Sequence, residues 1–175
     1  MRKISVVTLV LLALAGLASA QVPKGNIFAG YSYAKADIGG GDRINLNGWN
    51  GSLEGKLFPF VGIVADVSGH YGSEDFGGIT GDGRVLTAVF GPRVSFSVGK
   101  IRPFAEAMFG VSHLKVDFPG SSPSDTSFAG VYGGGIDYHL VPFFAWRVEA
   151  DAFRTSFGNG TQNNFRLSTG IVFNF

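Results

Sequence analysis

Apolar and polar residues alternate strictly over residues 164–175, at the end of the chain. Because successive side chains of a strand point to opposite sides, this pattern predicts an amphipathic β-strand. An aromatic strand of this kind at the edge of a soluble sheet would pair with other chains. In a membrane barrel, lipid covers the apolar face and the first strand covers the edge. The apolar face consists of Phe165, Leu167, Thr169, Ile171, Phe173 and Phe175.

The same alternation recurs between breaks that are rich in Gly, Ser, Asp and Pro. It predicts eight strands, at about 26–36, 43–57, 61–73, 84–97, 102–116, 127–140, 144–155 and 164–175. The connections are alternately short, near 58–60, 98–101 and 141–143, and longer, near 37–42, 74–83, 117–126 and 156–163. Short turns on one side and longer loops on the other are typical of outer-membrane barrels. The predicted fold is therefore all-β, an eight-stranded antiparallel up-and-down transmembrane β-barrel.

Extended along all the strands, the alternation separates an apolar face from a charged one. In a membrane barrel the charged face lines the lumen. A soluble barrel with the two faces exchanged is the alternative, since the pattern is symmetric. Charged residues make up only 15% of the chain, against about 25% in ordinary soluble domains, which favours the membrane barrel. The predicted lumen charges are Glu54, Lys56, Asp66, Arg93, Glu106, Asp137, Arg147, Glu149, Asp151 and Arg166.

The start of the chain has the three parts of a secretory signal peptide. Arg2 and Lys3 form a basic region, an apolar core follows, and Ala18-Ser19-Ala20 supplies the small-residue cleavage pattern. The apolar core is shorter than the ~20 residues that a spanning helix needs. We therefore expect a cleaved signal peptide over residues 1–20 and a single outer-membrane barrel domain over residues 21–175.

Charge and cysteine content limit the partners and the chemistry. The chain has 14 basic and 13 acidic residues, and two of the basic ones belong to the predicted signal peptide. A nearly neutral mature chain gives no reason to expect nucleic acid as a partner. The chain contains no cysteine, so neither disulfides nor thiolate chemistry are expected.

The signal peptide, the alternating strands and the terminal phenylalanine together resemble the small bacterial outer-membrane β-barrel family. That family includes the OmpA membrane domain, opacity-type surface proteins and stand-alone barrels of the acidobacterial type. The resemblance implies localisation in the outer membrane, a monomeric barrel, and contact with outer-membrane lipids and lipopolysaccharide. It also implies that the barrel-assembly machinery reads Phe173 and Phe175. OmpA itself continues into a peptidoglycan-binding domain, and because this sequence stops at Phe175 no such anchoring role is expected.

The predicted lumen charges suggest two functions. The interior of an eight-stranded barrel is just wide enough for side chains to fill it, and buried charges must pair. A salt-bridged plug is therefore expected, together with a structural or surface role in envelope integrity, adhesion or receptor binding. The alternative is a narrow passive pore for ions or small solutes.

An outer-membrane lipid-modifying hydrolase is the third hypothesis. A hydrolase needs a serine, a histidine and an acid within hydrogen-bond reach, and Asp66, Ser68 and His70 share one face of a predicted strand. Residues two apart in a strand lie about 7 Å apart, usually too far to bond directly. The His-x-Ser-Asn signature of lipid A deacylases is also absent from the sequence. We therefore predict no catalytic residues.

No metal or other cofactor is expected either. The three histidines are widely spaced in the sequence and show no metal-ligand spacing. Acidic residues in the second long loop could hold Ca²⁺ loosely, but the Asp-x-Asp-x-Asp-Gly arrangement of calcium loops is missing. The histidines are His70, His113 and His139, and the acidic loop residues are Glu74, Asp75 and Asp82.

Overall fold

The protein forms a closed antiparallel barrel, described here from a computed structural model that covers residues 24–37, 43–76, 79–117, 124–155 and 162–175. Each strand pairs with its neighbour in sequence, and the last pairs with the first. The strands are β1 (Gly25–Asp37), β2 (Arg43–Lys56), β3 (Val61–Phe76), β4 (Ile79–Ser95), β5 (Ile101–Asp117), β6 (Ser124–Val141), β7 (Phe144–Thr155) and β8 (Gln162–Asn174). The predicted fold is confirmed.

The predicted signal peptide lies outside the described residues. Within the described residues, no helix is long and apolar enough to cross a membrane.

The amphipathic strand at the end of the sequence closes the barrel. β8 pairs with β1 in continuous register, from Asn26 opposite Asn174 to Lys35 opposite Phe165. Beyond that register, Gly25 and Phe175 exchange two main-chain hydrogen bonds of 3.0 Å each. The edge of the terminal strand is therefore covered by the first strand, as its sequence predicts.

One predicted long loop is mostly strand. The sequence predicts a loop over residues 74–83, but β3 continues to Phe76 and β4 begins at Ile79, with these two residues opposite each other. Main-chain hydrogen bonds form whatever the side chains are, so a polar, glycine-rich stretch can extend a ladder that its neighbours have started. The four strands β3 to β6 are 16 to 18 residues long. A spanning strand needs only about 9–11 residues, so these two hairpins extend well beyond a membrane.

The turn between β4 and β5 depends on a glycine. Val98 and Ile101 form an isolated bridge around Gly99-Lys100, and Gly99 has φ of 61°. Two-residue hairpins twist with their strands when the first turn residue has positive φ, which glycine adopts at low cost.

We expect Gly99→Ala to lower the free energy of unfolding by about 1 kcal/mol, because alanine is strained at positive φ. A Cβ at Gly99 would meet nothing within 4 Å, so the loss of stability would come from backbone strain and not from a steric clash. Gly55→Ala is the matched control, since Gly55 also has open space around it and does not have positive φ. Urea unfolding of both variants in lipid vesicles measures the difference. Equal effects of the two substitutions would contradict the turn assignment.

The two faces of the barrel follow the predicted alternation. The apolar side chains assigned to one face, such as Ile63, Phe90 and Ile171, are exposed around the outside, and the charged ones are turned inward. The interior is less polar than expected, however. Among the described residues, nine large apolar side chains are buried there beside the charges: Phe28, Leu46, Val64, Val89, Phe104, Met108, Val131, Phe153 and Val172.

Candidate functional site: the charged barrel interior

All of the charged residues predicted for the lumen point into it. Nine of the ten are buried, and the side chain of Lys56 is 16% exposed. The structure adds Arg102, which sequence reasoning missed because it lies at the very start of β5, next to Pro103. Its position four residues before the inward Glu106 was the available signal, since residues an even number apart share a face. In the part of the chain that the structure describes, these residues give the interior six acidic and five basic side chains.

Arg93 on β4 is the centre of one group of ion pairs. Its Nε and Nη2 lie 2.6 and 2.5 Å from Glu106 Oε2. Its other contacts are with Glu54 at 3.3 Å and Glu149 at 3.4 Å. The guanidinium also lies over the ring of Phe104, with Cζ 4.4 Å from the centroid. A planar, permanently charged group with several donors suits such a shared position.

Nearer the short-turn end of the barrel, Arg147 and Arg102 share the carboxylate of Asp137. Arg147 donates from Nε at 2.6 Å and from Nη2 at 3.0 Å, a bidentate pair. Arg102 Nη2 lies 3.2 Å from Asp137 and 3.0 Å from Glu54. Lys56 Nζ is 3.1 Å from the other oxygen of Glu54. Glu54 thus connects this group to Arg93.

Arg166 on β8 connects distant strands across the lumen. It contacts Asp66 at 2.9 Å and Asp151 at 2.7 Å, and Glu149 at 3.3 Å. Phe153 lies under its guanidinium, with 4.7 Å between Cζ and the ring centroid. Because Glu149 also binds Arg93, the ion pairs form one network through the barrel. The pairing of the lumen charges that the sequence predicts is therefore present.

Three buried carboxylates could hold a cation. Oxygens of Glu106, Glu149 and Asp151 lie within 4.8 Å of one another, and Glu106 Oε1 and Asp151 Oδ1 have no hydrogen-bond partner. The other oxygens of these groups already bind Arg93 or Arg166. Two guanidinium groups therefore supply positive charge where a metal ion would supply it, and the cluster belongs to the network.

Asp66, Ser68 and His70, the residues weighed for the hydrolase hypothesis, are buried but do not form a hydrogen-bonded set. His70 Nε2 lies 2.9 Å from Ser32 Oγ on β1, not near Ser68. Ser68 Oγ has no hydrogen-bond partner, and Asp66 is bound by Arg166. The pairing of His70 with Ser32 could not be read from spacing, because these residues lie on strands separated by β2. Ser32 and His70 are both buried inside the barrel, out of reach of a lipid on the outer face.

The remaining candidate metal ligands are not brought together among the described side chains. His113 is exposed and its Nδ1 lies 2.8 Å from Thr126 Oγ1. His139 bonds Lys100 at the short-turn end. The side chains of Glu74, Asp75 and Asp82 lie outside those that the structure describes.

A closed eight-stranded barrel with an apolar exterior and a charged, packed interior defines the class of small outer-membrane barrels. The chain belongs to the family described as outer membrane protein beta-barrel domain, which it matches over residues 4–173. No curated protein matches it significantly. Its apolar exterior contacts membrane lipids, and the protein is located in the outer membrane.

Solved structures of low sequence identity share the fold. Neisserial surface protein A is 15% identical, with a TM-score of 0.71 over 86% of this chain and 97% of that one. Ail, the attachment invasion locus protein of Yersinia pestis, is 18% identical, with a TM-score of 0.63 over 86% and 99%. A major outer membrane protein from Thermus thermophilus is 13% identical, with a TM-score of 0.56 over 86% and 99%.

Proposed function

We propose that this protein is a non-conducting, non-catalytic outer-membrane barrel with a structural and surface role. The observation that carries the proposal is the continuous ion-pair network across the lumen, in which Arg93 and Arg166 each contact three carboxylates. Side chains that bind each other from opposite walls occupy the space that an ion would need. Buried charges of this kind are costly to separate, because each would be left unpaired at low dielectric.

The surface part of the proposal rests on the long hairpins. β3–β4 and β5–β6 are neighbours, and β4 pairs with β5 as far as Asp82 opposite Asp117. These strands form one tall wall on the long-loop side of the barrel, raised above the shorter β1, β2, β7 and β8. Neisserial surface protein A and Ail have names that refer to the cell surface and to attachment. By analogy of fold alone, we propose that this wall presents an adhesive or receptor surface.

The same proposal covers the partners. The outer face would contact lipopolysaccharide as well as lipid, and the barrel would act as a monomer. Phe173 and Phe175 form an aromatic group with Phe144. The ring centroids of Phe144 and Phe173 lie 5.4 Å apart, and those of Phe173 and Phe175 lie 6.5 Å apart. We expect the assembly machinery to recognise this end of β8. We also propose that residues 1–20 are a signal peptide that is cleaved, and that residues 21–175 form the barrel domain.

Planar-bilayer recording of the refolded protein tests the plug. We expect no stable discrete conductance steps at voltages where a porin of known conductance, recorded in the same bilayers, opens reproducibly. Discrete steps that depend on the added protein would overturn the plug and support the passive pore. Incubation with labelled lipopolysaccharide and phospholipid tests the hydrolase, and acyl release that is lost in His70→Ala would contradict the non-catalytic assignment.

A further inference from the structure

The short-turn end of the barrel contains a pocket of about 710 Å³. It lies between the β2–β3 turn, the β6–β7 turn, the start of β1 and the end of β8. Pockets of roughly 300–1,000 Å³ are typical of small-molecule sites. In an outer-membrane barrel the short turns face the periplasm, so this pocket opens to the periplasmic side.

The polar part of the pocket is basic. Lys24, Lys56, Arg102 and His139 line it, and none of the described side chains that line it is acidic. Lys56 and Arg102 reach inward to Glu54, which is fully buried above them. Glu54 is shared with Arg93, and the three-carboxylate cluster lies around Arg93 and Arg166. The acidic surplus of the lumen therefore lies deeper in the barrel, and the mouth is left with the positive charge.

Arg102 carries an unsatisfied donor. Its Nη2 serves two carboxylates, but its buried Nε has no hydrogen-bond partner. A buried donor without a partner has lost its hydrogen bonds to water and gained none in return, so it is destabilising. An anion in the pocket that accepts a hydrogen bond from this Nε would satisfy the donor while Nη2 keeps its two carboxylates.

The rim of the pocket is apolar and aromatic. Phe58, Phe143 and Phe175 line it together with two prolines, and all three phenylalanines are exposed. The main-chain oxygen of Phe175 is already held by Gly25 N–H at 3.0 Å. A ligand that fits both parts has a compact anionic group for the basic floor and an apolar group for the aromatic rim.

We propose that this pocket, the periplasmic mouth, binds an amphiphilic anion through Lys24, Lys56 and Arg102, with its apolar part against Phe58, Phe143 and Phe175. The ligand class is a phosphate or carboxylate attached to an aromatic or aliphatic group. Such chemistry is available from a soluble periplasmic compound or from the headgroup of an anionic phospholipid in the inner leaflet. The site shares Lys56 and Arg102 with the ion-pair network, whereas Lys24 belongs to the pocket alone.

Phenyl phosphate is the probe, titrated into the isotope-labelled protein in nanodiscs of neutral lipid and followed by amide NMR shifts. We expect saturable shifts at Gly25, Phe58 and His139, with benzyl alcohol and inorganic phosphate each binding at least about tenfold more weakly. Arg102→Gln should weaken phenyl phosphate about tenfold, and Lys24→Gln about threefold, because each removes a charge from the floor. Lys24 is exposed and outside the network, so its variant should fold normally.

Lys35→Gln is the matched control, since Lys35 is exposed near the opposite end of β1 and loses the same charge. It should leave the affinity unchanged. Shifts that do not saturate, equal binding of benzyl alcohol, or equal loss in Lys24→Gln and Lys35→Gln would each overturn the proposal. A repeat in nanodiscs that contain phosphatidylglycerol identifies the source. If phosphatidylglycerol competes with phenyl phosphate, the natural ligand is a lipid headgroup. If phenyl phosphate binds as tightly as in neutral lipid, the natural ligand is a soluble anion.

Discussion

Replacing Arg93 with methionine is expected to lower the free energy of unfolding by about 3–5 kcal/mol. The substitution keeps much of the side-chain volume but removes the cation shared by Glu54, Glu106 and Glu149. These carboxylates are buried and hydrogen-bonded to Arg93 at 2.6 to 3.4 Å. Without it they would repel one another at low dielectric. Urea unfolding in lipid vesicles, followed by tryptophan fluorescence and by the mobility of unboiled samples on denaturing gels, measures the loss.

Two further variants separate the lost ion pair from general damage. Arg154→Met removes an exposed arginine of β7 and should change stability by less than about 0.5 kcal/mol. In Arg93→Met/Glu106→Gln the second change removes the charge left unpaired, so the double variant should be more stable than the sum of the single effects by about 1–3 kcal/mol. Additive effects would mean that the Arg93–Glu106 contact does not hold the lumen together.

Phe90→Arg is expected to destabilise the barrel in lipid by about 2–4 kcal/mol. Phe90 is 52% exposed on the outer face of β4, near the middle of the part of the strand that spans the membrane. Its ring centroid lies 4.5 Å from that of Phe109, and this pair would also be lost. An arginine there must take its charge into hydrocarbon. Folding yield and urea unfolding in vesicles provide the measurement.

Phe128→Arg is the depth control for this experiment. Phe128 also faces outward, but it lies much farther from the short-turn end, on the extended part of β6. Near an interface the same substitution should cost only about 0–1 kcal/mol. A water-exposed outer face would tolerate both arginines equally, so equal small effects would be incompatible with lipid contact at Phe90.

The strands and their faces could be predicted because the information is local. Alternation at period two identifies which side chains share a face, and every charge assigned to the lumen points there. The prediction was less accurate for apolar residues that face the lumen, because an apolar side chain does not by itself indicate the outer face. Phe28, Phe104 and Phe153 are apolar, yet they face inward, where guanidinium groups stack on their rings. Arg147 lies over Phe28 and Phe104, and Arg166 lies over Phe153.

The ends of the strands were also predicted less accurately than their middle parts. The glycine and acidic residues of 74–83 predict a loop, but β3 and β4 pair there as far as Phe76 opposite Ile79. Whether a polar stretch forms a ladder depends on its partner, which local composition does not specify. The height of the β3–β6 wall, and with it the proposed surface role, could be seen only in three dimensions.

The sequence by itself determined a barrel of eight strands with an apolar exterior, a charged interior and an amphipathic closing strand, because alternation and turn residues act over a few positions. The tertiary structure alone decided which charges meet. Arg166 of β8 binds Asp66 of β3 at 2.9 Å, and Ser32 of β1 lies 2.9 Å from His70 of β3. Those strands are not neighbours in the sheet, and only the closure of the barrel brings their inward side chains within reach.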